Sequence, residues 1–269
     1  MTRRSLALLP AVVLFLSACS SGAGIDPVDV GPGVTIETNL SVTTSAADPA
    51  VMGLDLGAGE PREPLLPKDV DVVAVPRERL IRVWEEPRAG DPDFLFDTRN
   101  STGERAPLLV ADARRVDGQA WYEVYLPIRP NGRSVWLLPD EVRLREHDHR
   151  IEVDLSERKL RYLVEGEVVE RVSVGVGTPS TPTATGTFYV WVKVPYPNTH
   201  PAYGIMALGL SGFSEVLKDW PGGGRMAVHG TSNAGDRGRS VSHGCVRVYN
   251  EDMQALLDVP LGTPVIISR

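Results

Sequence analysis

From Val70 onward the chain is a succession of short apolar runs, rich in β-branched and aromatic residues, each closed within a few positions by proline, glycine, asparagine or charge. Val70–Val75, Leu80–Trp84, Ala106–Val110, Trp121–Leu126 and Ser134–Leu137 are of this kind, and turns such as Arg129-Pro130-Asn131-Gly132 separate them. Runs of this length fill a strand but are too short for the apolar stripe that holds a helix to a core. A second block opens with Ile151–Leu155 and Lys159–Val164 around Ser156-Glu157-Arg158, then passes through Glu165-Gly166-Glu167 into Val168–Val174 as a predicted β-meander. More strands are expected at Gly186–Val192, Arg225–Val228 and Pro264–Ile267. Only Ser214–Trp220 and Asn250–Leu257 read as helices; in the second, Asn250 suits an N-cap ahead of Glu251 and Asp252. The chain is therefore expected to be mainly β in two units, a small all-β domain over 69–147 and a second domain over 149–269.

The residues ahead of the first strand differ. Arg3 and Arg4 precede the apolar run Leu6–Leu16, and Leu16-Ser17-Ala18-Cys19 is followed by Ser20-Ser21-Gly22. A charged start, a short apolar run and a small-residue cleavage site make a signal peptide over 1–18, and the run is shorter than the roughly 20 apolar residues of a permanent span. Its ending resembles a bacterial lipoprotein signal, which implies lipid on Cys19; a plain secretory leader with an incidental cysteine is the alternative. Residues 19–68 are rich in Gly, Pro, Ser, Thr, Asp and Ala with almost no aromatics, and read as a flexible tether. The expected location is outside the cytoplasm, lipid-anchored to a bacterial membrane and facing the periplasm or cell wall. A net charge of −7 leaves no basic stripe, so nucleic acid is not expected as a partner.

The chain has two cysteines, and lipid on Cys19 would leave Cys245 with no intramolecular partner. Cys245 lies in Ser242-His243-Gly244-Cys245-Val246-Arg247, and His229 stands sixteen positions upstream at the end of a predicted strand, in His229-Gly230-Thr231. The polar, glycine-bearing connection between them is able to fold back and bring the two together. A thiol attacks as thiolate and needs a base or a positive neighbour, which a histidine supplies. A zinc site would want three or four Cys/His ligands at clipped spacing, and a structural thiol would sit in an apolar run. Neither pattern is present, so a nucleophile is favoured, with no metal and no cofactor expected.

The motif pair His229-Gly230-Thr231 and Ser242–Arg247, then Asn250, the stretch Thr181–Phe188 and the closing Gly262–Ile267, resembles the YkuD-like L,D-transpeptidase catalytic domain family over roughly residues 150–268. The resemblance implies a β-sandwich catalytic domain that acts on peptidoglycan stem tetrapeptides. Cys245 would attack the carbonyl ahead of the terminal D-Ala to give a thioester, and His229 would serve as base. The Gly230 carbonyl would orient the imidazole, and backbone amides of His243, Gly244 and Cys245 would form the oxyanion hole, with glycine opening the turn. Transfer to a second stem peptide would give 3→3 cross-links; hydrolysis, or transfer to a protein amine, is the alternative fate, and a non-catalytic wall-binding lipoprotein the third reading. Arg247, two positions past the nucleophile, would face the same way and clamp a donor carboxylate, or else pair with Asp252 or Asp236. Ser242 and Asn250 would hold the turn and cap the following helix beside the substrate site. Pro195–Met206 would form a lid loop, with Tyr203 and Met206 as groove walls. Trp121–Val124 and Ser134–Leu137 resemble bacterial SH3-like domains, which accompany cell-wall enzymes. A monomer is expected.

Overall fold

The computed structural model describes residues 65–219 and 221–269; the leader, Cys19 and the tether up to residue 64 lie outside the described residues. The first unit has the strands β1 (Asp71–Pro76), β2 (Leu80–Val83), β3 (Phe94–Asp97), β4 (Leu108–Val116), β5 (Gln119–Tyr125), β6 (Ser134–Leu137) and β7 (Val142–His147). Five of them make a sheet in the order β6-β5-β4-β1-β7, and β2 pairs with β3 as a separate hairpin. Strand alternation is plain in β2, where Ile81 and Val83 are buried while Leu80 and Arg82 face out. Trp84, Trp121 and Trp136 form a satellite cluster, with Trp84 edge-on to Trp121 at 5.2 Å.

The second unit contributes β8 (His149–Asp154), β9 (Lys159–Val164), β10 (Glu167–Ser173), β11 (Val176–Gly177), β12 (Gly186–His200), β13 (Gly204–Phe213), β14 (Arg225–Thr231), β15 (Ser240–Ser242), β16 (Val246–Tyr249) and β17 (Pro264–Ser268), with the short helix α1 (Asn250–Met253). Eight strands form a sheet in the order β10-β9-β8-β17-β12-β13-β14-β16, and β11 pairs with β15. Most pairs are antiparallel, but β17–β8 and β14–β16 are parallel. One face of this sheet buries Ile151, Val153, Leu208, Leu210, Val228 and Val246 under Met253 and Leu256.

The two units share a core. Tyr189, Trp191 and Val192 of β12 are buried among Val73, Phe96, Leu108 and Val124 of the first unit, and β7 passes into β8 through Asp148 alone. Polar bonds fasten the same junction: Tyr189 Oη donates to the Tyr125 carbonyl at 3.1 Å, and Asn100 Nδ2 to the Trp191 carbonyl at 3.1 Å. The Arg150 guanidinium grips both Asp71 oxygens at 2.9 and 2.8 Å.

Three sequence expectations are corrected here. Ser214–Asp219 is not helical: the Ser214 carbonyl, which a helix would bond four residues on, accepts from Arg129, and Gly222, Gly223 and Gly224 then turn the chain with positive φ. Asn250 does not cap α1; the cap position is Tyr249, and the Asn250 side chain bonds elsewhere. Pro195–Met206 is not a loop but the tip of the β12–β13 hairpin. The imidazole of His200 closes that tip by accepting from the amides of Ala202 and Tyr203 at 3.1 and 3.2 Å, and its prolines are accommodated because β17 covers β12 only at Gly186–Tyr189, leaving the far edge unpaired.

A shared core predicts shared unfolding. Trp191→Ala should cost about 3–5 kcal/mol, the usual range for truncating a large buried side chain. Chemical denaturation followed by near-ultraviolet circular dichroism should show both units melting in one transition at lower midpoint; a shift confined to one of two separate transitions would contradict the shared core.

Candidate active site

The site is built on the parallel pair β14–β16. Val228 lies opposite Val246 and His229 opposite Arg247, and the two valines point into the core. Their neighbours Ala227, His229, Cys245 and Arg247 therefore project from the other face. One step back in the same register Cys245 meets Ala227, whose backbone hydrogen-bonds the thiol. The structure thus brings Cys245, His229 and Arg247 together on one surface.

His229 is 3% exposed, and its Nδ1 lies 2.8 Å from the Gly230 carbonyl oxygen. A carbonyl only accepts, so Nδ1 carries the proton and Nε2 keeps its lone pair. Burial pushes the imidazole pKa down to about 4; the Gly230 bond opposes this, and the charge of Arg247 adds to it. The ring of Tyr203 stands edge-on to His229, centroids 5.1 Å apart. The carbonyl that holds His229 is itself held by close backbone approach. A Cβ on Gly204 (φ +64°) would come within 2.4 Å of the Gly230 carbonyl carbon, and one on Gly230 would meet Asn250 Oδ1 at 2.4 Å. Asn250 accepts there from the Ile205 amide at 3.3 Å and donates to Ser232 Oγ at 3.0 Å, tying β13 and the segment after β14 to the start of α1.

Cys245 is a partly buried free thiol. Burial raises its pKa, and both the Ala227 hydrogen bond and the charge of Arg247 pull the other way without cancelling the effect. Thiol and imidazole are thus both neutral at rest. Gly244 has φ +116° in the turn, and its amide donates to Ser242 Oγ at 3.1 Å. His243 is exposed on the outside of the turn.

Other predicted residues fall differently. Ser242 is 1% exposed: its hydroxyl donates to the Cys245 carbonyl at 2.6 Å, and its carbonyl accepts from the Thr178 amide and Thr181 Oγ1, each at 3.1 Å. It holds the turn and offers no surface to a ligand. Met206 is likewise buried in the core, so of the two expected groove walls Tyr203 alone lies at the site. Arg247 Nη1 bonds Asp236 at 3.2 Å, while its Nε is buried with no hydrogen-bond partner.

Sequence reasoning missed Asp236 as a structural centre and missed Gly204 altogether. Asp236 is 4% exposed and also accepts from Thr231 Oγ1 and Asn233 Nδ2. The signal for it was the run Thr231-Ser232-Asn233, whose short polar side chains fold a carboxylate inward. Among the described residues no group of three or more His, Cys, Asp or Glu is placed to hold a metal.

The family model for the L,D-transpeptidase catalytic domain, YkuD, matches residues 148–267. The chain is similar to the putative L,D-transpeptidase YkuD of Bacillus subtilis, 32% identical over 141 residues that are 51% of this chain and 76% of that protein. It is also similar to the probable L,D-transpeptidase ErfK/SrfK of Escherichia coli, 32% identical over 151 residues, 49% of this chain and 46% of that protein, so it spans about half of the latter. Among solved structures, the catalytic domain of the E. faecium L,D-transpeptidase acylated by ertapenem aligns with 46% of this chain and 99% of that chain, at 27% identity and a TM-score of 0.35.

Because desolvation disfavours the thiolate, alkylation of Cys245 by iodoacetamide should accelerate with pH beyond the ordinary cysteine midpoint of about 8.5. A rate that levels off below pH 7 would instead reveal a resting thiolate–imidazolium pair.

Proposed function

Because the chain belongs to the YkuD L,D-transpeptidase family, we propose that Cys245 is its nucleophile and His229 its general base in acyl transfer between peptidoglycan stem peptides. The observation that carries this reading is the parallel register of β14 and β16, which turns both side chains to one face while the Gly230 carbonyl leaves His229 Nε2 free to accept a proton.

The donor tetrapeptide presents the carbonyl between its third residue and the terminal D-Ala. As the sulfur bonds to that carbon, the thiol proton passes to Nε2, so thiolate and imidazolium form only as the attack proceeds. Charge on the tetrahedral oxygen falls to backbone amides of the turn, those of His243 and Cys245, since the Gly244 amide is engaged by Ser242. The C–N bond to D-Ala breaks as Nε2 returns its proton to the leaving amine, which departs with a thioester left on Cys245. An acceptor amine then attacks the thioester carbon, gives its proton to Nε2, and the sulfur leaves as thiolate and is reprotonated. The product is a 3→3 cross-link.

Arg247 serves the donor carboxylate in this reading, from a guanidinium already anchored by Asp236. Asp236 cancels part of its charge, so its contribution is direction more than net attraction. The composition of the leader supports lipid attachment at Cys19 of an exported protein, with the tether giving reach from the membrane to the wall. The first unit, with its likeness to SH3-like domains of wall enzymes, is assigned to the same setting.

The purified protein incubated with disaccharide tetrapeptide should release D-Ala and yield a cross-linked dimer by mass spectrometry. Cys245→Ala should abolish both, and His229→Ala should slow them by about 10²–10⁴-fold, the range for losing a general base. Tripeptide without dimer would reassign the enzyme to hydrolysis. Native D-Ala release by Cys245→Ala would sink the proposal.

A further inference from the structure

The β5–β6 connection of the first unit reaches across to the end of β13, close to the nucleophile turn. Asn131 there accepts from the Phe213 amide at 2.8 Å and donates to the Phe213 carbonyl at 2.8 Å, pairing with that residue as a neighbouring strand would. Arg129 donates to the Ser214 carbonyl at 2.9 Å and to the Gly223 carbonyl at 2.8 Å, bridging the two ends of the excursion between β13 and β14. From β14, Arg225 donates back to the Pro127 carbonyl at 3.1 Å and to the Leu210 carbonyl at 2.7 Å. The Phe213 ring lies near both guanidinium groups, 4.8 Å from that of Arg129 and 4.4 Å from that of Arg225.

These bonds converge on Ser214. Its amide donates to the Gly224 carbonyl at 2.7 Å, its hydroxyl accepts from the Leu217 amide at 3.1 Å, and it is buried. It also borders the nucleophile turn: a Cβ built on Gly244 would stand 3.9 Å from both Cβ and Oγ of Ser214, with the Pro182 carbonyl at 3.4 Å on another side. The turn that presents Cys245 is thus walled by Pro182 and by Ser214, and Ser214 is held in place by the upstream unit.

We propose that Arg129 and Asn131 are positioning residues for the reaction, acting through Ser214 to fix the Gly244–Cys245 turn. The inference rests on the acyl-transfer reading above, and it assigns the first unit a part in catalysis besides any part in location. A turn free to drift leaves the thiol reactive but misplaces the amides that must meet the developing oxyanion, so the loss falls on turnover and not on binding.

The test uses the full chain with Arg129→Ala, Asn131→Ala and Arg129→Lys, and Asn131→Asp as a mild variant should the alanines fold poorly; Asp keeps the acceptor for the Phe213 amide and loses the donor. Expected for the alanines is a fall in kcat for D-Ala release of about tenfold, with KM within twofold of native and an unchanged rate of Cys245 alkylation by iodoacetamide, which needs no oxyanion support. Arg129→Lys should recover part of kcat through one of the two carbonyl bonds. Hydrogen exchange at the Ser214 and Leu217 amides should accelerate at least tenfold in the same alanine variants. Native kcat in both alanines, a kcat loss matched by an equal loss of alkylation, or unaltered exchange at Ser214 and Leu217 would each overturn the proposal. If the native protein releases no D-Ala, it is the acyl-transfer reading that falls, and the exchange measurement still decides whether the upstream unit holds Ser214.

Discussion

The parallel pairing of β14 with β16 is the constraint from which the site follows. Parallel neighbours cannot be joined by a hairpin and need a crossover of a dozen or so residues. Here that crossover runs from Ser232 to Cys245, through a 3₁₀ turn at Ala234–Asp236 and the short strand β15. The turn is pinned by Asp236, whose carboxylate takes Thr231, Asn233 and Arg247. The return is pinned by Ser242, whose carbonyl is bound by Thr178 and Thr181. Cys245 and His229 therefore sit at the two ends of one crossover, and their spacing is set by backbone pairing and not by a flexible loop.

Electrostatics around the pair are balanced. Burial drives Cys245 and His229 toward their neutral forms, which leaves the His229 Nε2 lone pair unprotonated at rest. Arg247 favours a thiolate on Cys245 but disfavours an imidazolium on His229, whereas Asp236 favours the imidazolium. As an ion pair, Arg247 and Asp236 thus support both charges that the proposed attack would create while committing the resting site to neither. The Gly230 carbonyl adds to the same effect, because its bond to Nδ1 strengthens when the ring becomes cationic.

The sequence was informative where a local pattern determines the outcome, and silent where partners are distant. The mainly β class, the meander from Ile151 to Val174 and the likeness to the L,D-transpeptidase family were legible because alternation and short motifs are local. Helix at Ser214–Trp220 was a fair reading of propensity, yet the carbonyl it required is claimed by Arg129 from 85 positions away. Asn250 has the chemistry of an N-cap, but two glycines bring the backbone of Gly204 and Gly230 so close that its side chain is drawn to Ile205 and Ser232 instead. Tyr189 and Trp191 looked like ordinary members of a second-unit strand; that they complete the first unit's core depends on how the sheets stack, which period-2 alternation does not encode.

Arg129-Pro130-Asn131-Gly132 illustrates the same limit from the other side. By composition it is a turn, and it is one, but its side chains also serve as donors to another unit. Arg129 and Arg225 spend their hydrogen bonds on backbone carbonyls, and each lowers its cost of burial by facing the Phe213 ring. Burial and the charge of Arg129 bring Arg225 down to about 10, still well above neutral, so Arg225 remains a cation across the physiological range. Backbone carbonyls do not ionise and Arg225 stays charged well past neutral, so its bonds to Pro127 and Leu210 should persist between pH 5 and 8, below the range in which the thiol gains reactivity.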